Sequence, residues 1–93
     1  MRYRITAVSF DTDRYDDMLT ATEAARDEMK DIVSLQSAVI VRVGDGKSIT
    51  IGAYDTEESA AAAQPKVQAI FGRLAEWFAT PPEVQEGPVI FEI

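Results

Sequence analysis

The side chains with most scope for chemistry in this chain are Tyr3, Tyr15, Tyr54, Trp77 and six arginines, and what they must work without is as informative as what they are. The 93 residues include no cysteine, no histidine and no asparagine. Zinc, haem and copper sites of the usual protein-ligated kinds therefore lack ligands. Ser-His-Asp and Cys-His machinery is ruled out, and no imidazole titrates near neutrality. Any catalysis falls to carboxylates, Tyr, Lys, Arg, Ser or Thr, or to the substrate's own reactivity. No cofactor is expected.

Each candidate has two readings. Trp77 shares an apolar helical face with Ile70, Phe71 and Leu74, so it either packs in the core or lines a pocket and stacks on a flat ligand. Tyr3 and Tyr54 fall in strands, where a buried hydroxyl needs a partner. Arg4 and Arg42 also fall in strands; each either pairs with Glu92 or an Asp, or meets an anion or carbonyl at a pocket mouth. Arg73 lies beside the apolar stripe, which its aliphatic stem can cover. The pairs Asp16-Asp17 and Glu57-Glu58 read as solvated first turns of helices, since adjacent helical residues do not face each other and acids favour that end of the dipole. Gly44-Asp45-Gly46-Lys47 joins two strands and is not a phosphate loop.

The elements that must position these residues follow from periodicity. Tyr3 to Phe10 reads as a strand. Asp11-Thr12-Asp13 supplies N-cap residues, and Tyr15, Met18, Leu19, Thr22, Ala25, Met29, Ile32 and Val33 recur as one face of a single amphipathic helix. Ser37 to Val43 and Lys47 to Tyr54 form a hairpin around Gly44-Asp45-Gly46, with Ile49, Ile51 and Ala53 on one side of the second strand and Ser48, Thr50 and Gly52 on the other. Asp55 and Glu58 have the spacing of a capping box. The helix they open is expected to kink or break near Gln64, ahead of Pro65. Val67, Ile70, Phe71, Leu74, Trp77 and Phe78 continue it to the stop at Pro81-Pro82, and Val89, Ile90, Phe91 and Ile93 read as the last strand.

Strand, helix, hairpin, helix, strand is the ferredoxin-like βαββαβ pattern, an α+β fold with a four-stranded antiparallel sheet and both helices on one face. The expectation is one domain over residues 1–93. The bare sheet face of a monomer should be polar, yet Ala38 and Ile40 oppose Val39, Val41 and Val43, and the second strand is apolar on both sides. Exposed apolar surface costs about 25 cal/mol per Å², so a homodimer packed through the open sheet face is expected.

A net charge of −7 and scattered basic residues argue against nucleic acid and anionic membranes as partners. No stretch approaches the ~20 apolar residues of a membrane span. With no leader pattern at the N-terminus and no disulfide framework, a cytoplasmic location is expected.

Three stretches carry a family resemblance: the hairpin from Ser37-Ala38-Val39-Ile40-Val41-Arg42-Val43 through Gly44-Asp45-Gly46-Lys47 to Tyr54; Asp55-Thr56-Glu57-Glu58-Ser59-Ala60-Ala61; and Phe71-Gly72-Arg73-Leu74-Ala75 leading to Pro81-Pro82-Glu83-Val84. In this layout the whole chain resembles the dimeric α+β barrel superfamily, and within it the antibiotic-biosynthesis-monooxygenase-like domains. The resemblance implies a homodimer with a pocket between sheet and helices in each subunit. Some such proteins oxidise polyaromatic substrates without metal or flavin, using Asn, Trp, Tyr and Arg; others degrade haem with His and Asn. This chain has no His and no Asn, which excludes the haem branch and departs from the oxygenase pattern at the Asn.

The functional expectation is a small dimeric domain resembling cofactor-free monooxygenases, with a largely apolar pocket for a small organic ligand lined by Tyr3, Tyr54 and Trp77 and with Arg73 orienting a polar substituent. The competing expectation is a non-catalytic ligand-binding or interaction module with a filled core.

Overall fold

A computed structural model describes residues 1–32 and 34–93 of the chain. Its strands are β1 (Arg2–Ser9), β2 (Leu35–Gly44), β3 (Lys47–Tyr54) and β4 (Glu83–Pro88), and its helices α1 (Tyr15–Ala24), α2 (Arg26–Lys30) and α3 (Glu57–Leu74). Short 3-10 turns cover Thr12–Arg14 and Ala75–Trp77. The sheet runs β2-β3-β1-β4 with every neighbouring pair antiparallel, which is the ferredoxin-like order.

The hairpin forms where the alternation placed it. Asp45-Gly46 turns the chain, and Gly46 alone among the described residues combines the turn with a positive φ, 67°. A Cβ at Gly46 would stand 2.6 Å from the carbonyl oxygen of Phe10, whose own N–H donates to Gly46 O at 2.8 Å. The turn is thereby stitched to the end of β1, and only glycine fits there.

Four local expectations are corrected. The predicted first helix is two helices that meet at Ala25, whose N–H donates to Thr22 O (3.1 Å) in a tightened turn. Thr20 and Thr22 direct their hydroxyls onto the carbonyls of Asp16 (3.0 Å) and Met18 (2.8 Å) one turn back, a bond that bends helices. Val33 lies outside the described residues. The cap of α3 is Thr56, whose hydroxyl accepts from Ser59 N at 3.0 Å; Asp55 instead accepts from Gln36 at 2.9 Å.

Pro65 does not interrupt α3. It sits on the solvent side of the helix, as does Ala61, the residue whose carbonyl loses its partner, so water can take the place of the missing donor. The buried stripe of Ala60, Ala63, Ile70 and Leu74 runs along the other side.

The last strand is Glu83–Pro88, and the apolar residues Val89–Ile93 run beyond it. Pairing with β1 ends at Arg2↔Pro88, and one further bond, Val89 N to Met1 O at 3.0 Å, follows it. Charge and proline on β4 suit an edge strand, where they discourage stray pairing.

Pairing register sets the two sheet faces. Thr6 pairs with Thr50, Val8 with Ser48, Arg4 with Gly52 on one side and Glu86 on the other. These residues face the helices, with Arg4, Thr6, Val8, Ser48 and Gly52 buried. Tyr3, Ile5 and Ala7 of β1, Ile49, Ile51 and Ala53 of β3, and Val39 and Val41 of β2 occupy the opposite face. The apolar set of the alternation thus points away from the helices and the polar set points toward them. Tyr3, Ile5, Val39 and Val41 are exposed there. The packed core lies between the helices and one end of the sheet: Ala25, Ile32, Tyr54, Ala60, Ala63, Ile70 and Leu74, flanked by Leu35, Val67, Trp77 and Phe78.

Candidate functional site

The inner sheet face and the helices do not close on each other over their whole length. Between them is a cavity of about 890 Å³, within the range of roughly 300–1,000 Å³ typical of small-molecule sites. Its roof is mostly apolar: Met18 and Leu19 of α1, Met29 of α2, Ile32, and Val67, Ile70, Phe71 and Leu74 of α3, with Thr20 and Thr22 of α1 beside them. Its floor is the inner face of the sheet, Arg4, Thr6 and Val8 of β1 with Ser48, Thr50, Gly52 and Tyr54 of β3. Its mouth lies over β2, where Ala38 and Ile40 face inward and are still exposed because the helical layer does not cover this edge.

Arg4 and Tyr54 close one end of the floor. Arg4 donates to Ala60 O (2.9 Å) and to the Tyr54 hydroxyl (3.3 Å), lies 5.2 Å from the centre of the Tyr54 ring, and approaches Glu86 at 3.5 Å. Glu86 also accepts from Arg2 at 2.9 Å. The Arg2 hydrogen bond, with the Arg4 charge behind it, holds the Glu86 carboxyl below the usual carboxylate range. Arg4 thus has a carboxylate partner in Glu86, which it shares with Arg2. Burial pushes the Tyr54 phenol up, against the pull of Arg4, so the group stays protonated and able to donate.

At the mouth, Arg26 donates to Glu23 through two bonds of 2.7 Å, and this lowers the Glu23 carboxyl. Lys30 is exposed beside them. Among the described residues, no group of three or more acidic side chains comes together as a metal site.

Of the four residues expected to line a pocket, Tyr54 does and Tyr3, Trp77 and Arg73 do not; Arg4, the strand arginine also singled out, lines it. Tyr3 is on the outer face of the sheet. Trp77 follows α3 in the 3-10 turn and packs against the core. Its Nε1 is enclosed without a partner, and Arg14 lies 5.6 Å from the centre of its ring. Arg73 is exposed and forks onto Glu28, with Nη1 donating to Oε1 at 2.6 Å. Helical periodicity put Trp77 on the α3 stripe, but the chain leaves α-helical geometry at Ala75 and turns the ring off that line. Arg42, the other strand arginine, pairs with Asp45 (3.2 Å) and stacks 4.8 Å from the Tyr15 ring.

The residues that sequence reasoning missed are Thr6, Ser48 and Thr50. Their signal was the polar half of the β3 alternation, which an amphipathic reading sends to solvent.

Fold and cavity together define the class: a ferredoxin-like α+β domain that shares its fold with the antibiotic-biosynthesis-monooxygenase-like proteins. A Nitrosomonas europaea protein provisionally called an antibiotic biosynthesis monooxygenase superposes with a TM-score of 0.80 at 19% identity, over 98% of this chain and 100% of that one. A Bordetella bronchiseptica protein of the same provisional name gives 0.80 at 16% identity, over 97% of each chain. A dimeric ferredoxin-like protein from an uncultured marine organism gives 0.82 at 14% identity, over 99% of this chain and 90% of that one. No protein-family model matches the sequence, and a search of the curated proteins found no match. No helix among the described residues is long and apolar enough to cross a membrane.

Proposed function

We propose that the chain is a homodimeric domain that binds a small, largely apolar organic molecule in the cavity between its sheet and its helices. The observation that carries this reading is the cavity itself, about 890 Å³ under an apolar roof, with Tyr54 and Arg4 at one end of a polar floor. A filled core, the mark of a purely structural module, does not match that space. The dimer is supported by the exposed apolar outer face of the sheet and by the described dimeric state of one structural neighbour.

The monooxygenase names of several structural neighbours suggest oxidation of the bound molecule. One feature favours binding without turnover. The three cavity groups whose protonation is displaced move away from neutrality, Tyr54 and Arg26 upward and Glu23 downward, whereas a general base or acid working at pH 7 is tuned toward it.

A thermal-shift screen of flat aromatic phenols, quinones, fatty acids and amino acids tests the reading, run beside Ala38→Trp, which places a bulky ring at the exposed mouth. Stabilisation by one class, lost in a folded Ala38→Trp variant, is the expected result. No shift with any class at millimolar ligand would sink it. Oxygen uptake with the stabilising class then separates an oxygenase from a binding module.

A further inference from the structure

The cavity has hydroxyl groups in its roof and in its floor, and they differ in one respect. In the roof, Thr20 and Thr22 commit their hydroxyls to the backbone carbonyls of Asp16 and Met18. In the floor, Thr6, Ser48 and Thr50 make no hydrogen bond through their side chains to any described residue, although Thr6 is only 3% exposed and Ser48 4%. Neither oxygen is sealed off, since Trp77 Nε1 is the enclosed polar side-chain atom left without a partner. What exposure they keep is toward the cavity that they line.

Register brings the three together. Thr6 and Thr50 are direct cross-strand partners, and Ser48 is the next residue of β3 on the same face. Cross-strand Cβ atoms are about 5 Å apart and successive same-face residues about 7 Å, so the trio spans one or two functional groups of a small molecule. The Tyr54 phenol accepts from Arg4 and keeps its own proton to donate farther along the same face.

Buried hydroxyls hydrogen-bond almost without exception, and a strand face directed at a helical layer is normally apolar. A polar floor under an apolar roof departs from that rule at the place where a ligand would lie. We propose that Thr6, Ser48 and Thr50 form a polar subsite that selects neutral ligands carrying a carbonyl or hydroxyl oxygen on an apolar body, and that disfavours carboxylates. A carbonyl oxygen accepts from the threonine and serine hydroxyls, while a ligand hydroxyl both donates and accepts. A carboxylate would bring a charge into a cavity whose floor holds one cation, Arg4, already facing Glu86. Arg4 is matched by Glu86 and Arg26 by Glu23, and Lys30 stands at the exposed mouth.

The inference rests on the binding reading above, and three probes sharing one apolar body separate the two: naphthalene, 2-acetylnaphthalene and 2-naphthoate, titrated calorimetrically into the protein at pH 7. The ketone should bind about threefold to tenfold more tightly than naphthalene for each hydrogen bond gained, and the carboxylate more weakly than the ketone. Combining Thr6→Val, Ser48→Ala and Thr50→Val should bring the ketone down to the affinity of naphthalene without weakening naphthalene itself. Thr50→Val alone, at a half-buried position, tests the same point should the triple variant not fold. Equal affinities for ketone and naphthalene would overturn the subsite while leaving the cavity reading intact. Tightest binding by the carboxylate would overturn it in favour of recognition by a cation, and binding by none of the three would overturn both readings.

Discussion

The Arg4 guanidinium reaches diagonally from β1 to β3, donating to the Tyr54 hydroxyl across 3.3 Å while its carbon lies 5.2 Å from the ring centre. Two further contacts, Ala60 O on α3 and Glu86 on β4, make this one side chain the tie between both neighbouring strands and the long helix. Arg4→Met keeps much of the packing volume but removes all of the donors. It should cost about 2 kcal/mol, the scale of losing a charged hydrogen bond at a buried site. Tyr54→Phe keeps the ring and removes only the hydroxyl, so about 1 kcal/mol is expected. Urea unfolding of the two variants checks the order, Arg4→Met lower than Tyr54→Phe.

The same cluster sets the response to pH. The folded-state value of Glu86 is lowered by the Arg2 hydrogen bond, so its contribution is present above the unfolded value of about 4.3 and is lost as pH falls through the lower folded value. Stability should therefore decline on acidification below about pH 4, and Glu86→Gln should flatten that decline. Tyr54 works at the other end. Its folded value is raised by burial, so its contribution is complete below the unfolded value of about 10 and disappears as pH climbs through the higher folded value. Tyr54→Phe should lack this alkaline loss. Denaturant midpoints across the pH range, with the two variants beside the parent protein, read both limbs.

Two glycines should respond in opposite directions to the same substitution. Gly46→Ala must adopt a positive φ with its new carbon pressed against Phe10 O, so a loss of at least about 2 kcal/mol is expected. Gly72 lies in α3 with open space where a side chain would go. Gly72→Ala should raise stability by about 0.5–1 kcal/mol through helix propensity. Thermal melts of the two variants would show the contrast.

Arg73 tests how far the site extends. Its fork onto Glu28 is exposed on both sides and stands away from the cavity. Arg73→Ala should leave ligand-induced thermal shifts unchanged, and any loss of stability should shrink with added salt, as exposed pairs do. A loss of binding would show that the ligand contacts the outside of α3.

Local signals were strong where one residue type decides the geometry. Gly46 marked the turn, and the alternation over Lys47–Tyr54 gave β3 its bounds. They were weak where tertiary context decides. Glu83–Pro88 has the composition of a loop and becomes a strand because β1 offers it an edge, while Val89–Ile93 has the composition of a strand and lies outside the β1–β4 register. Of the residues singled out from sequence, Tyr54 and Arg4 line the cavity. Alternation separates Ser48 and Thr50 from Ile49 and Ile51, but it cannot say which set faces the helices, and the ordinary choice would bury the isoleucines. The absence of Cys, His and Asn directed attention to hydroxyl and guanidinium groups, yet it drew the eye to aromatic residues before the small hydroxyls of the floor.

That inverted polarity leads to the last prediction. Tyr3, Ile5, Val39 and Val41 face away from the helices and are exposed, on a face that also carries Ile49 and Ile51. A second copy of the sheet packed there by a two-fold axis would cover the patch on both chains at once. A charge placed on it would enter the interface twice, so Val41→Glu, an exposed position on the β2 side of the patch, should weaken association by at least about a hundredfold. Sedimentation equilibrium should find a dimer for the parent protein and a folded monomer for Val41→Glu. A parent protein that stays monomeric at high concentration would mean that the outer face is covered by something other than a second copy of the chain.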